Sequence, residues 1–408
     1  MVETEQNDHS GGVGPLEGLR VIELGTILAA STATRILGDL GAEVIKVEAP
    51  DRPDPMRHWG RGTHNGRALW WPITVRNKKL VTANLRTEAG RDQFLRLSDS
   101  ADVVVENFRP GTLEKWGLDY PRLARTNPGI VLARISGFGQ TGPYASRAGY
   151  AAVGEAMGGL RYINGHPDMP PPRSGISLGD TLAGMFAAHG VLAALHERTR
   201  SGRGQVVDAS LAESCMAMLE SSFAEYDLLG EVRQPSGTGL PGVSPSNLFR
   251  SRDGKWVAIA ANQDQIFRRL CQAMGQPELA DDPRFDNHVG RAENQTELEQ
   301  LVADWAVKHD AADLDEILAS AEVAAGPVYS VADIVEDPHF RARESLVVHH
   351  DHDIGDFLSP GVVPRLDRTP GSVRWTGPWE LGAHNAEIFG ALGVSDAELS
   401  ALSEHGHI

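Results

Sequence analysis

Asp180 is the residue whose type and place most suggest chemistry. It is the only acidic residue between Asp168 and Glu197, it follows Gly179, and it opens a small-residue apolar stretch running to Leu195. A carboxylate there has two readings. As a helix N-cap it would accept a backbone N–H of the first turn and stabilise the helix by about 1 kcal/mol. As a nucleophile it would attack an acyl group from a poorly solvated place and form a covalent intermediate. Spacing alone leaves both open.

Other segments offer binding chemistry. Glu106-Asn-Phe-Arg-Pro-Gly111 follows an apolar run, and it combines an amide (Asn107), an aromatic face (Phe108) and a bidentate phosphate clamp (Arg109). Its alternative is a strand-to-helix turn ended by Pro110 and Gly111. Ser136-Gly-Phe-Gly-Gln-Thr-Gly-Pro143 has glycines that permit close approach of a ligand, as any glycine-rich loop would. Residues 51–67 carry Arg52, Arg57, His58, Arg61, His64 and Arg67, a basic loop able to seat a carboxylate. His349-His-Asp-His-Asp353 reads as a polar turn rather than a metal site, because neighbours on a strand point to opposite faces. The turn Leu24-Gly-Thr-Ile-Leu-Ala-Ala-Ser31 lacks the glycine spacing of a dinucleotide fingerprint, and no serine-hydrolase elbow is present.

The elements that must position these groups alternate in type. Strands are expected at 19–24, 43–48, 80–85, 102–106 and 130–135, with helices over 31–40, 89–97 and 113–124. That rhythm predicts a parallel α/β sheet with ligands at the carboxyl ends of its strands. A Gly/Pro/Ser-rich linker follows at 232–246. Beyond it come a strand at 255–261, helices near 264–274, 292–308 and 312–320, and an irregular β-like stretch closed by a helix near 384–392. The domains expected are a disordered tail (1–14), a large ligand-binding α/β domain (15–225), a smaller α+β domain (226–330) and a C-terminal segment (331–408).

Composition narrows the partners. The 408 residues carry a formal net charge of −17, which argues against nucleic acid or an anionic membrane. No apolar run looks long enough to span a bilayer. The polar, acidic start is no signal peptide, and two cysteines without metal or redox spacing suit the cytoplasm. Cys215 falls in an apolar helix and reads as core.

Taken together, the chain resembles the class III (family III) CoA-transferases, the group that includes formyl-CoA transferase. The matching stretches are Leu37-Gly-Asp-Leu-Gly-Ala-Glu-Val-Ile-Lys-Val-Glu48, Glu106–Gly111, Ser136–Pro143, Pro171-Pro-Arg-Ser-Gly-Ile-Ser-Leu-Gly-Asp180, Gly204-Gln-Val-Val-Asp208 and Ala325-Gly-Pro-Val-Tyr329. The resemblance implies that Asp180 is the nucleophile, passing through a mixed anhydride and an aspartyl-CoA thioester. It implies no cofactor beyond CoA carried as substrate, no metal, and an acyl-CoA and a small carboxylic acid as partners. CoA contacts are implied at Leu28, Ala29, Asn107 and Phe108, with Arg86 and Lys115 toward the nucleotide phosphates. Tyr150 and Ala151 are implied in the substrate pocket, with Ala261-Asn262-Gln263 where relatives carry a glycine-rich loop over the active site. The implied fold is an open ring of a Rossmann-like domain and a smaller one, its C-terminal segment returning to the large domain, two rings interlocking as a homodimer.

Departures from the pattern refine this. Formyl-CoA transferase has a glutamine near Leu28 and a glutamate near Ala151, so oxalate and formate are not the expected substrates. The basic loop suggests a dicarboxylate such as succinate. Racemases of the superfamily pair the aspartate with a histidine that would fall near Gly149, where no base stands; His166 and His189 read as surface or helix histidines. Racemisation and non-catalytic acyl-CoA binding are the alternatives to transfer.

Overall fold

The computed structural model describes residues 14–408; all but the last residue of the expected tail lies outside them. The chain divides into two compact units. One takes the chain up to Leu160, Arg173–Ser221 and Arg341–Ile408, and the other takes Arg161–Pro172 and Ser222–Phe340.

The first unit is built on six parallel strands: β1 (Arg20–Glu23), β2 (Glu43–Glu48), β5 (Lys78–Thr82), β6 (Val103–Glu106), β7 (Val131–Ser136) and β8 (Val206–Ser210). A two-residue ladder, β3 (Thr63–His64) and β4 (Arg67–Ala68), lies outside this sheet. The order β5-β2-β1-β6-β7-β8 runs outward from β1 in both directions. The winding therefore reverses between β1 and β6, and a crevice opens at their carboxyl ends.

Helices cover both faces, so the strands read as nearly continuous apolar runs. Val103 and Val105 face helices Ala29–Asp39 and Leu178–Ser201, while Val104 faces Phe94 and Leu97 of helix Glu88–Ser98. Apolar burial is not the whole interior. Glu23 of β1 lies 2.7 Å from both Lys46 of β2 and Lys78 of β5, and Lys46 also meets Asp54 at 2.8 Å. All four side chains are buried.

The 24-residue helix Leu178–Ser201 is long and apolar enough, by length and composition, to cross a membrane, which corrects the expectation that no run qualifies. The reason is its interruptions: Thr181 and His189 break the apolar string without lowering the average much. Its Gly/Ala face is buried on helix Ala29–Asp39, where a Cβ at Gly184 would sit 2.7 Å from the Ala29 carbonyl oxygen. The expected helix over 113–124 is two, Thr112–Lys115 and Tyr120–Thr126. Gly117 turns the chain at φ 70°, and Asp119 caps the second helix through the Arg122 N–H.

In the second unit, β9 (Ser246–Arg250), β10 (Trp256–Ala260) and β11 (Ala324–Pro327) form an antiparallel sheet beside helices Asp264–Ala273, Gln295–Ala306 and Ala311–Ser320. The expected 292–308 helix is preceded by a separate short one, His288–Glu293, that Asn287 caps. Back in the first unit, β12 (Leu346–Asp351) and β13 (Gly355–Pro360) form a hairpin. His349, His350 and Asp351 lie in β12, correcting the polar-turn reading; His349 Nε2 is buried 2.6 Å from the Ser359 hydroxyl.

Candidate active site

Asp180 is not the N-cap of its helix. Ser177 holds that position and Asp180 stands three residues later, half-buried, where its Oδ2 accepts the Ser177 hydroxyl at 2.8 Å. The same Ser-x-x-Asp spacing recurs at Ser330 and Asp333, where a full capping box forms and Asp333 takes the Ser330 N–H. At Asp180 the box is left open. The two carboxyls are shifted in opposite directions. Hydrogen bonds from Ser330 hold Asp333 below the usual carboxylate range. Burial pushes Asp180 above it, Glu155 adds to the rise, and Ser177 and Arg173 partly oppose it.

Helix Ala151–Met157 supplies the wall beside the start of the Asp180 helix. A Cβ at Gly179 would lie 3.1 Å from the Ala151 carbonyl oxygen and 3.3 Å from Glu155 Cγ, so a larger residue there would press the two helices apart by a few tenths of an ångström. Glu155 is buried and accepts the Gly179 N–H at 3.1 Å. Tyr150, at the N-cap position of that helix, is exposed, and Gly149 touches Gly137 backbone to backbone. Of the expected pocket residues, Ala151 thus meets Gly179, the residue before Asp180, and Tyr150 immediately precedes Ala151. Cys215 is buried close by, its thiol pushed up to about 11 by burial and then by Glu155 and Asp180. In the 136–143 loop, the Gly139 N–H goes to the Ser136 hydroxyl and the Gln140 N–H to Asp208, so those two amides are already engaged.

Ala261, Asn262 and Gln263 belong to the second unit, between β10 and helix Asp264–Ala273. Ala261 is buried, and the Asn262 carbonyl accepts from Arg291 at 2.8 Å. His166 also belongs to the second unit, and His189 is exposed on the Asp180 helix.

A cavity of about 140 Å³ lies across the carboxyl ends of β1, β2, β5 and β6, lined by Thr26, Arg52, Asn84, Arg86, Phe108 and Trp116, among others. Asn107 does not offer its amide to that space, as the sequence suggested. Its Oδ1 takes the Thr26 N–H at 2.9 Å and its Nδ2 gives to the Thr26 carbonyl at 2.8 Å, clamping the first βα turn. That turn is strained: Ile27, a β-branched residue, sits at φ 65°, held by hydrogen bonds from its N–H to the Asp54 carboxylate. Leu28 and Ala29 follow with buried side chains, leaving backbone as what they can present. Phe108 packs edge-on to Trp116 at 5.3 Å, and its N–H goes to Glu106, whose carboxyl burial pushes up to about 7 against the pull of Arg134. Arg86 lines the cavity; Arg109 and Lys115 are exposed on the segment that follows β6.

The basic loop is partly neutralised. Arg57 is bound to Glu48 at 2.6 Å and Arg67 to Asp353 at 2.7 Å, so neither is a free carboxylate seat. Arg52, His58, Arg61 and His64 are exposed. Sequence reasoning missed Glu155, Asp54 and Ser177. The signal for Ser177 was the capping-box spacing, and for Glu155 a single acid in a run of small apolar residues.

Comparison with known proteins shows the family. The profile of CoA-transferase family III matches residues 16–385. A succinyl-CoA–D-citramalate CoA-transferase of Chloroflexus aurantiacus is 52% identical over 389 residues, 95% of this chain and 96% of that protein. A succinate–glutarate CoA-transferase of Agrobacterium fabrum is 35% identical, covering 93% and 96%. The crystal structure of a CaiB/BaiF family protein from Brucella suis superposes with a TM-score of 0.80 at 35% identity, over 93% of this chain and 100% of that one. With a match over nearly its whole length, the chain belongs to CoA-transferase family III.

Proposed function

We propose that this acyl-CoA:carboxylate CoA-transferase works through Asp180 as nucleophile, with a dicarboxylyl-CoA such as succinyl-CoA as donor. An Asp180 oxygen attacks the thioester carbonyl and the C–S bond breaks, giving a mixed anhydride and CoA thiolate. The thiolate attacks the Asp180 carbonyl carbon, the donor acid leaves as a carboxylate, and an aspartyl-CoA thioester remains. An acceptor carboxylate attacks that thioester and expels the thiolate. The thiolate then takes the acceptor's acyl carbon and frees Asp180. Each step exchanges one acyl bond for another, and no proton enters the balance.

The observation that carries the reading is the open capping box: Asp180 is at helix position N3 yet keeps its carboxylate off the backbone, desolvated and basic. The Gly137–Gly149 contact supports transfer over racemisation. A Cβ at 149 would sit 2.3 Å from Gly137 Cα, so this backbone has no room for a histidine base there. Arg173, whose charge reaches Asp180, suits the second carboxylate of a dicarboxylic substrate. Arg173→Ala is expected to raise KM for a dicarboxylyl-CoA more than for a monocarboxylyl-CoA; equal rises would count against that assignment.

CoA binds, in this reading, at the cavity across the carboxyl ends of β1, β2, β5 and β6, with Phe108 toward the base and Arg86, Arg109 and Lys115 toward phosphates. The remaining elements of the proposal are an interlocked homodimer of open rings, a cytoplasmic location and no cofactor beyond CoA. Asp180→Ala should abolish transfer while retaining the far-UV spectrum and CoA binding. Near-normal transfer by that variant overturns the reading.

A further inference from the structure

Glu155 is a buried carboxylate in an unusual place. Helix Ala151–Met157 is pressed onto its neighbours through glycines. A Cβ at Gly154 would meet Leu211 Cβ at 2.7 Å, and one at Gly158 would meet the Ala212 carbonyl oxygen at 2.4 Å and Cys215 Cβ at 2.8 Å. The close fit leaves Glu155 1% exposed. Its Oε1 accepts the N–H of Gly179, the residue before the nucleophile, and among the described residues it forms no ion pair. An enclosed carboxylate without a cation is a standing cost to the fold. A glutamine could accept the same N–H without that cost, so the hydrogen bond alone does not account for an acid here.

We propose that Glu155 is a positioning residue for the transfer reaction: it fixes the Gly179–Asp180 backbone, and its charge disfavours the free Asp180 carboxylate relative to the acylated one. The proposal rests on Asp180 being the nucleophile. Two carboxylates enclosed together repel while both are ionised. The repulsion disappears when Asp180 becomes an anhydride or a thioester, because either adduct is neutral. Glu155 therefore raises the basicity of the attacking oxygen and tilts the internal equilibrium toward acyl-enzyme.

The other groups facing Asp180 do not supply this charge. Ser177 donates a hydrogen bond, Arg173 is of opposite sign, and Cys215 holds its proton until about 11.

Glu155→Gln separates the two roles, since the amide oxygen keeps the Gly179 hydrogen bond and only the charge goes. Enzyme equilibrated with succinyl-CoA and succinate is trapped with borohydride, and the aspartyl-CoA fraction is read by intact mass. A fall in the adduct-to-free ratio of roughly tenfold is expected, with the acid limb of kcat/KM moving lower in pH. An unchanged ratio and an unchanged acid limb in Glu155→Gln, with only Glu155→Ala losing Tm, would overturn the proposal and leave a structural anchor. Adduct formation in Asp180→Ala would overturn the nucleophile itself, and this proposal with it.

Discussion

Gly149→Ala tests the packing around the segment that meets the start of the Asp180 helix. The added Cβ would stand 2.3 Å from Gly137 Cα and 3.1 Å from its nitrogen, both backbone atoms that no rotamer change can move aside. Relief requires the two segments to part by roughly 1 Å, at an overpacking cost of about 1–3 kcal/mol. Segment 137 leads into the glycine loop; segment 149 leads into Tyr150 and Ala151, against which Gly179 packs. If Asp180 is the nucleophile proposed above, a shift on that scale beside it lowers the rate by roughly a hundredfold. The expected result is a kcat loss of that order, a modest fall in Tm and unchanged CoA affinity, because the cavity across the strand ends is lined by other segments. Steady-state transfer, thermal unfolding and calorimetric CoA binding read the three quantities. Gly390→Ala is the control: its Cβ meets nothing within 4 Å, so stability should hold or rise by up to ~1 kcal/mol. Wild-type kcat and Tm in Gly149→Ala would refute the reasoning.

Phe108→Ala removes the ring that lines the cavity against Trp116, and should raise KM for acyl-CoA roughly ten- to a hundredfold with kcat little changed; a kcat loss at constant KM would contradict a binding role. Glu23→Gln leaves Lys46 and Lys78 short of their shared buried partner and should destabilise by about 3–5 kcal/mol, read as a lower denaturant midpoint; a shift under 1 kcal/mol would contradict it. Asp180→Asn has a sign worth testing. Burial, then Glu155, raise this carboxyl in the fold, so the folded protein holds the proton more tightly than the unfolded chain and stability rises as pH falls through the folded value. At neutral pH the ionised carboxylate is a net cost, so the neutral amide should raise Tm at pH 7 and lose that advantage in acid. An equal or lower Tm at pH 7 would show that the site is not strained.

The parallel sheet was legible because strands covered on both faces write themselves as apolar runs, as Val103–Val105 does. The same logic hid Glu23, Lys46 and Lys78, whose mutual pairing inside the sheet involves residues far apart in sequence. The break after Lys115 was signalled by Gly117 and Pro121, but apolar spacing across 113–124 outweighed them in the reading. At the site, the motifs and the family resemblance named Asp180, Tyr150 and Ala151, and Ala151 packs on Gly179. What the motifs could not show is which polar groups are taken. Asn107 clamps Thr26, and Arg57 and Arg67 answer Glu48 and Asp353, facts set by tertiary distance rather than residue type.

The most direct measurement of the central claim is intact-protein and peptide mass spectrometry after incubation with succinyl-CoA and borohydride. The account predicts a mass change confined to the peptide carrying Asp180 and absent from Asp180→Ala. No mass change in protein shown to bind CoA, or a change mapping to another residue, would contradict it.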